Sequence, residues 1–335
     1  MRLSNFELLR IVAMLMVVNL HTFFQPETLS ISDLTVGTLA DYFREATSIS
    51  AVNLFVVISG YFSIKWRLKS FASLIFQVFF WVFALYTLLL FFGEIDFSLK
   101  TFLVRLNFVV TAYWFITAYI GLYLLAPLLN IHSKYMNVIG GGKKYLLYIV
   151  LFFCLQFYYQ LLGDSNFLGG YSILSFCGCY MIGRYIRMTD LRLSRRSAII
   201  GILLSTLLIM ISTIIGAFYG KNLWYYNNPF IIAQTVFIFC LFKGFRFQSK
   251  AVNWCSSSAL AVYLLHMHPD IKQRFYDFAV SLYGYSIGKH IIGLLVIFTV
   301  VFVTAIIVDK VRLILFEYLY KSTENYILKW KGKKK

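Results

Sequence analysis

The sequence predicts an all-α protein, a polytopic transmembrane helix bundle of about ten spans with both termini cytoplasmic. Three observations predict it. The 335 residues are 60% hydrophobic and only 13% charged, whereas soluble domains carry about 25% charged residues. So little polar surface cannot cover a globule in water. Apolar runs recur at lengths of roughly 18–22 residues, which suit a helix crossing the bilayer rather than the roughly ten-residue strands of a barrel. The basic residues also alternate between the two sides. With the N-terminus in the cytoplasm, 24 of the 31 Lys and Arg fall inside, and nine of the 14 Asp and Glu fall outside. This is the bias of the positive-inside rule.

The spans are expected at 6–24, 46–64, 71–92, 110–130, 145–162, 171–188, 197–218, 229–243, 256–268 and 289–309. Only Arg2 precedes the first run, Glu7 and Arg10 interrupt it, and no small-residue cleavage pattern follows. It is therefore read as a retained helix rather than a signal peptide. The longest loop is expected from Gln25 to Glu45, and the ninth span is short. Residues 1–310 form the expected membrane-embedded domain. The tail VRLILFEYLYKSTENYILKWKGKKK interleaves basic, aromatic and aliphatic residues. Residues 311–335 are expected to lie along the inner leaflet as a basic amphipathic cytoplasmic tail, attracted to anionic lipids.

A net charge of +17 would point to nucleic acid in a soluble chain. Here the basic residues mark cytoplasmic loops, so membrane lipids, not nucleic acid, are the expected partners. Cys154, Cys177, Cys179, Cys240 and Cys255 are odd in number, form no C-x-x-C pair and lie in or beside apolar runs. They read as small apolar residues rather than disulfides or metal ligands, and no metal is expected. GGGKK at 140–144 lacks both the P-loop spacing and a preceding strand, so it is not read as a phosphate loop.

The first span carries two costly side chains, Arg10 and His21. Eleven residues at 100° each place them on one helix face, about 16 Å apart along the axis. Glu7, three residues before Arg10, can pair with it on that face. Two readings fit. Arg10 snorkels to the inner headgroups while His21 bonds at the outer interface, or the pair marks a site, as ionisable residues within spans generally do. Elsewhere Ser59-Gly60 suits a close helix approach or a kink rather than a nucleophile. Asn53 is placed to bond into a cavity or to a neighbouring helix. Tyr113 and Trp114 fit either an aromatic belt or an outward cavity with His21 and His266. His132, His268 and His290 read as solvated residues.

The pattern RIVAMLMVVNLH, with Arg10 and His21, resembles the first helix of the membrane-bound acyltransferase 3 family. VNLFVVISGYF (52–62) is similar to its second-helix signature. YWFITAYIGLYLLAPLLN (113–130) and SALAVYLLHMHP (258–269) are similar to later blocks, the last closest to members encoded with capsule and surface-polysaccharide genes. The resemblance covers residues 6 to about 310, in order. One departure lies in IKWRLKSF: many members carry R-x-x-x-R here, and this chain has Lys65 and Lys69 at that spacing with Arg67 between them. The charge is kept and the planar fork of arginine is not.

The resemblance implies an O-acyltransferase of the bacterial plasma membrane. It would move an acyl group, most often acetyl from acetyl-CoA, to a sugar hydroxyl of a surface polysaccharide or its lipid-linked precursor. Arg10 and His21 carry over as catalytic residues, with His21 as general base or as an acyl-carrying relay. Lys65, Arg67 and Lys69, together with Arg10 and Arg184, are expected to meet the CoA phosphates. Asn53, Trp114 and His266 are expected to line the acceptor side. The competing class is a transporter or flippase of a lipid-linked glycan, since polar residues in spans also mark pathways. The matching halves of many secondary transporters are not visible in this sequence.

Overall fold

The computed structural model describes residues 3–22, 35–108, 112–139, 141–163, 167–219 and 223–332. Regular structure among them is helical: α1 (Ser4–Leu20), α2 (Val36–Ala46), α3 (Ala51–Phe62), α4 (Leu68–Phe91), α5 (Leu99–Leu106), α6 (Trp114–Ile139), α7 (Gly141–Leu161), α8 (Ile173–Met188), α9 (Arg195–Phe218), α10 (Pro229–Lys243), α11 (Lys250–Ser256), α12 (Ala259–His266), α13 (Lys272–Ser281) and α14 (Ile287–Gly332). The chain divides into two compact units. The first takes Met1–Lys65 and Trp114–Ser256, the second Trp66–Tyr113 and Ser257–Lys335.

Six helices among the described residues are long and apolar enough to cross a membrane, with Gly37–Phe62 counted as one across the turn between α2 and α3. The other four expected spans fall on shorter helices: α1 with 17 residues, α8 with 16, α10 with 15 and α12 with eight. At 1.5 Å per residue α12 is only about 12 Å long, because Pro269, lacking an N–H, stops it just beyond His266. Most of α8 is buried inside the first unit. Its backbone therefore meets protein rather than lipid and needs no full-length apolar cylinder.

Helix also occupies part of the expected loop, the connection after α4 and the expected tail. Residues 25–34 of the expected long loop lie outside the described residues, and its remainder is α2, opened by a Thr35–Thr38 capping box. Ser98 caps α5 in the connection after α4, accepting from Thr101 N–H. The expected boundary at 310/311 falls inside α14, an uninterrupted helix of 46 residues.

The first unit is organised around α3 and α8, which approach to backbone contact. A Cβ placed on Gly60 would lie 2.1 Å from the Tyr180 carbonyl oxygen, and one on Gly183 would lie 2.2 Å from that of Val57. Only hydrogen fits at either position, so the close approach expected at Ser59-Gly60 is what Gly60 provides. Leu54, Val56, Val57, Ile58, Phe176 and Tyr180 fill the surrounding core. Where α3 ends, Ser63 takes a left-handed conformation with φ 63°. Tyr180 Oη accepts from Ile64 N–H at 2.9 Å and donates to Asn130 Oδ1 at 2.9 Å, and Asn130 Nδ2 donates to Ile64 O at 3.0 Å. These bonds fix the chain just before Lys65.

In the second unit Asp309 and Arg312 form a buried pair on α14, with Gln77 and Trp81 of α4 also donating to the carboxylate.

Candidate active site

Helix α1 carries the candidate residues from one end of the first unit to the other. At its start Ser4 and Asn5 tie it down: Ser4 Oγ lies 3.1 Å from Gln248 Oε1, and Asn5 Nδ2 donates to Phe242 O at 3.1 Å. One turn on, the expected Glu7–Arg10 pair forms, with Arg10 Nη1 2.5 Å from Glu7 Oε1. Glu7 is buried, and its other oxygen accepts from Ser256 Oγ at 2.6 Å. A charge-assisted network of this kind is strong when every member is satisfied. Arg10 stays about one-third exposed, its guanidinium carbon 6.0 Å from the centre of the Phe62 ring. Its charged group keeps one face exposed.

His21 caps the far end of α1 and is partly exposed. Its surroundings are pinned by polar bonds. Asn19 Nδ2 donates to Ser48 Oγ at 2.9 Å, and Arg44 Nη2 donates to Thr22 O at 3.2 Å. Both bonds join the end of α1 to α2 and the turn that leads into α3. Asn53, in the first turn of α3, donates to Tyr226 O at 2.8 Å. Trp114 packs on the same residue, its ring 6.1 Å from that of Tyr226 and 4.5 Å from Tyr171. Asn53 and Trp114 thus meet at Tyr226, and Asn53 bonds to the loop before α10 rather than to a neighbouring helix. Beside them Asn227 is fully buried, and neither polar atom of its amide has a hydrogen-bond partner among the described residues.

The opposite end, where α1 begins and α3, α8 and α10 end, is basic. An open cavity of about 700 Å³ lies there, its lining including Phe6, Tyr61, Arg187, Asp190, Lys243 and Arg246. Arg187 lies over Tyr61, 5.2 Å from the ring centre, and its Nη1 donates to Tyr61 Oη at 3.2 Å. Lys243 Nζ sits 5.9 Å from the same ring and donates to Asp190 Oδ1 at 2.8 Å and to Leu191 O at 2.7 Å. Arg192 Nε donates to Asp190 Oδ2 at 2.7 Å. These bonds hold the Asp190 carboxyl down to about 2 and raise Arg192 above its ordinary value. In the sequence, Arg187, Arg192, Lys243 and Arg246 are among the 24 inner-side charges and carry no further signal. The one local hint was Tyr61, at the end of the second-helix block.

The residues expected to meet phosphates are distributed otherwise. Lys65 closes the first unit as an exposed side chain. Arg184 is buried on α8, with its charge near the Tyr145 and Tyr180 hydroxyls. Arg67 and Lys69 are exposed in the second unit, where Lys69 pairs with Glu317 at 2.9 Å and lies 5.1 Å from the centre of the Tyr320 ring. His266, also in that unit, is buried, with Nδ1 2.6 Å from Val262 O and its ring 5.1 Å from that of Phe275.

The three histidines read as solvated are corrected. His268 is fully buried: Nε2 is 3.1 Å from Val82 O and Nδ1 accepts from Asp270 N–H at 3.2 Å, because the turn at Pro269 folds it inward. His132 lies within α6 rather than on a loop, half-buried against Tyr148. His290 is half-buried near the start of α14, 3.1 Å from Leu282 O and packed on Tyr283.

An all-helical chain with several apolar helices, ionisable groups along one of its short helices and a basic cavity at one end defines a multi-pass membrane protein with a built polar site. A model of acyltransferase family 3, described as an acyltransferase domain, matches residues 3–309. The chain belongs to that family and is an acyltransferase. No curated protein and no solved structure matches it.

Proposed function

We propose that the chain transfers acetyl from acetyl-CoA to a sugar hydroxyl of a bacterial surface polysaccharide or its lipid-linked precursor, in the plasma membrane. The observation that carries this reading is the placement of Arg10 and His21 near opposite ends of one helix, in a chain of an acyltransferase family. The basic end of the first unit faces the cytoplasm and receives the donor, with Arg10 and Lys65 adding charge there. The His21 end receives the acceptor. Imidazole suits a general base because its ordinary pKa, near 6.5, leaves it largely neutral at pH 7. His21 takes the hydroxyl proton as the sugar oxygen attacks the thioester carbonyl. The C–S bond then breaks, an ester forms, and the proton passes to the departing thiolate. Trp114 and Tyr226 offer aromatic faces to a sugar ring, and Asn53 holds Tyr226 in place.

The test compares purified wild type with His21→Ala, given acetyl-CoA and cell-envelope glycan, and reads glycan acetyl content by mass. The expected result is loss of transfer by about a hundredfold or more, the usual range for removing a general base, at unchanged protein level. Equal acetylation overturns the assignment. A trapped acetyl-enzyme that disappears in His21→Ala favours the acyl-histidine route over direct transfer.

A further inference from the structure

We propose that the basic cavity over Tyr61 is the seat of the donor's phosphate groups, held by Arg187, Lys243 and Arg246, and that Asp190 is a tethered counter-ion the phosphates displace. The donor in this inference is the nucleotide thioester of the preceding section, on which it rests.

Four cations line the cavity, Arg187, Arg192, Lys243 and Arg246, against the single carboxylate of Asp190. Asp190 occupies two of them, bonding Lys243 through Oδ1 and Arg192 through Oδ2. Arg187 uses one bond, to Tyr61, of the five N–H donors of a guanidinium. Arg246 is exposed and makes no hydrogen bond or ion pair among the described residues. The cavity therefore holds more cationic donors than its own carboxylate can fill. A ligand carrying several phosphate charges fills them better than a single carboxylate, because guanidinium groups bond phosphate oxygens in pairs.

The walls favour a nucleotide over bare phosphate. Phe6, Tyr61, Phe245 and Phe247 add aromatic surface, and about 700 Å³ is within the usual size of a small-molecule site. Lys243 is mostly buried, whereas the Asp190 side chain is 55% exposed. The carboxylate can therefore swing into water when a phosphate takes its place, since an exposed ion pair exchanges readily. Asp190 sits at φ 47°, a left-handed conformation that asparagine adopts nearly as well. Asp190→Asn therefore removes the charge and keeps the turn.

The experiment measures binding of CoA, and separately of inorganic pyrophosphate, to the purified full chain in detergent by calorimetry. Asp190→Asn is expected to tighten CoA binding severalfold. Arg187→Gln and Lys243→Gln are each expected to weaken it by about tenfold, as loss of a charge-assisted bond does. The gain is the decisive arm, because a misfolded variant cannot produce tighter binding. Unchanged or weaker CoA binding by Asp190→Asn overturns the inference, even where wild type binds CoA and transfers acetyl. Pyrophosphate binding that tightens in Asp190→Asn, with no CoA binding and no acetyl transfer by wild type, keeps the displaced counter-ion and overturns the donor reading.

Discussion

Glu7 divides its carboxylate between two partners, Oε1 meeting Arg10 Nη1 at 2.5 Å and Oε2 accepting from Ser256 Oγ at 2.6 Å. The shared anion orients Arg10 and ties α1 to α11. Glu7→Gln is expected to lower stability by about 1–3 kcal/mol, the cost of leaving buried charged partners poorly satisfied. It should also reduce transfer more than Ser256→Ala does, because only the former removes the counter-charge of Arg10. Thermal unfolding in detergent, run beside acetyl-transfer assays of both variants, checks the order.

The Glu7–Arg10 contact was legible in the sequence because it is local: three residues on one helix meet whatever the tertiary fold. The same holds for Gly60, whose position beside Ser59 suits a close crossing. Its counterpart Gly183 was not legible, since nothing in α8 says which helix it meets. The cavity over Tyr61 escaped for a stronger reason. Lys243 and Asp190 are 53 residues apart, and each reads as an ordinary loop charge until the ends of α8 and α10 are set side by side. The expected span at 171–188 falls on α8, which starts two residues later and is mostly buried inside its unit. The count of ten rested on hydropathy, which does not separate a lipid-facing helix from one packed inside a unit.

Gly60 and Gly183 face each other's helices at backbone distance, and a Cβ on Gly183 would also lie 2.9 Å from the Gly60 carbonyl carbon. Gly60→Ala and Gly183→Ala are each expected to destabilise the chain by about 1–3 kcal/mol or more, since backbone cannot yield as a flexible side chain does. The double variant should cost less than the sum, because the first Cβ already separates the helices and makes room for the second. Melting temperatures of the two single variants and the double variant test this coupling.

Asp190 supplies a pH signature. Its carboxyl is held at about 2 rather than 3.8 by hydrogen bonds from Lys243 and Arg192. Its folded pKa lies below the unfolded one, so its contribution is fully present above pH 4 and fades as pH falls toward 2. The stability difference between wild type and Asp190→Asn is therefore expected to be constant from pH 5 to 8 and to shrink below pH 4. Arg187 and Arg246 line the same cavity. Thermal unfolding of both proteins across pH 2.5–8 reads the difference directly.

Asp309 and Arg312 carry the last prediction. The guanidinium donates through Nε and Nη2 at 2.9 Å each to the two carboxylate oxygens, Gln77 Nε2 adds a bond at 3.0 Å, and both charges are buried. Arg312 Nη1 has no hydrogen-bond partner among the described residues, so desolvation offsets much of what the pair gains. Removing one partner leaves the other charge buried alone, and Asp309→Asn is expected to cost about 3–5 kcal/mol. Replacing both with apolar residues of similar volume, Asp309→Leu with Arg312→Met, should recover most of that loss, because no charge then remains to be solvated. If the double variant melts as low as Asp309→Asn, the pair is not self-contained and Arg312 answers to a further anion. If it melts near wild type, the two charges on α14 serve mainly to cancel each other.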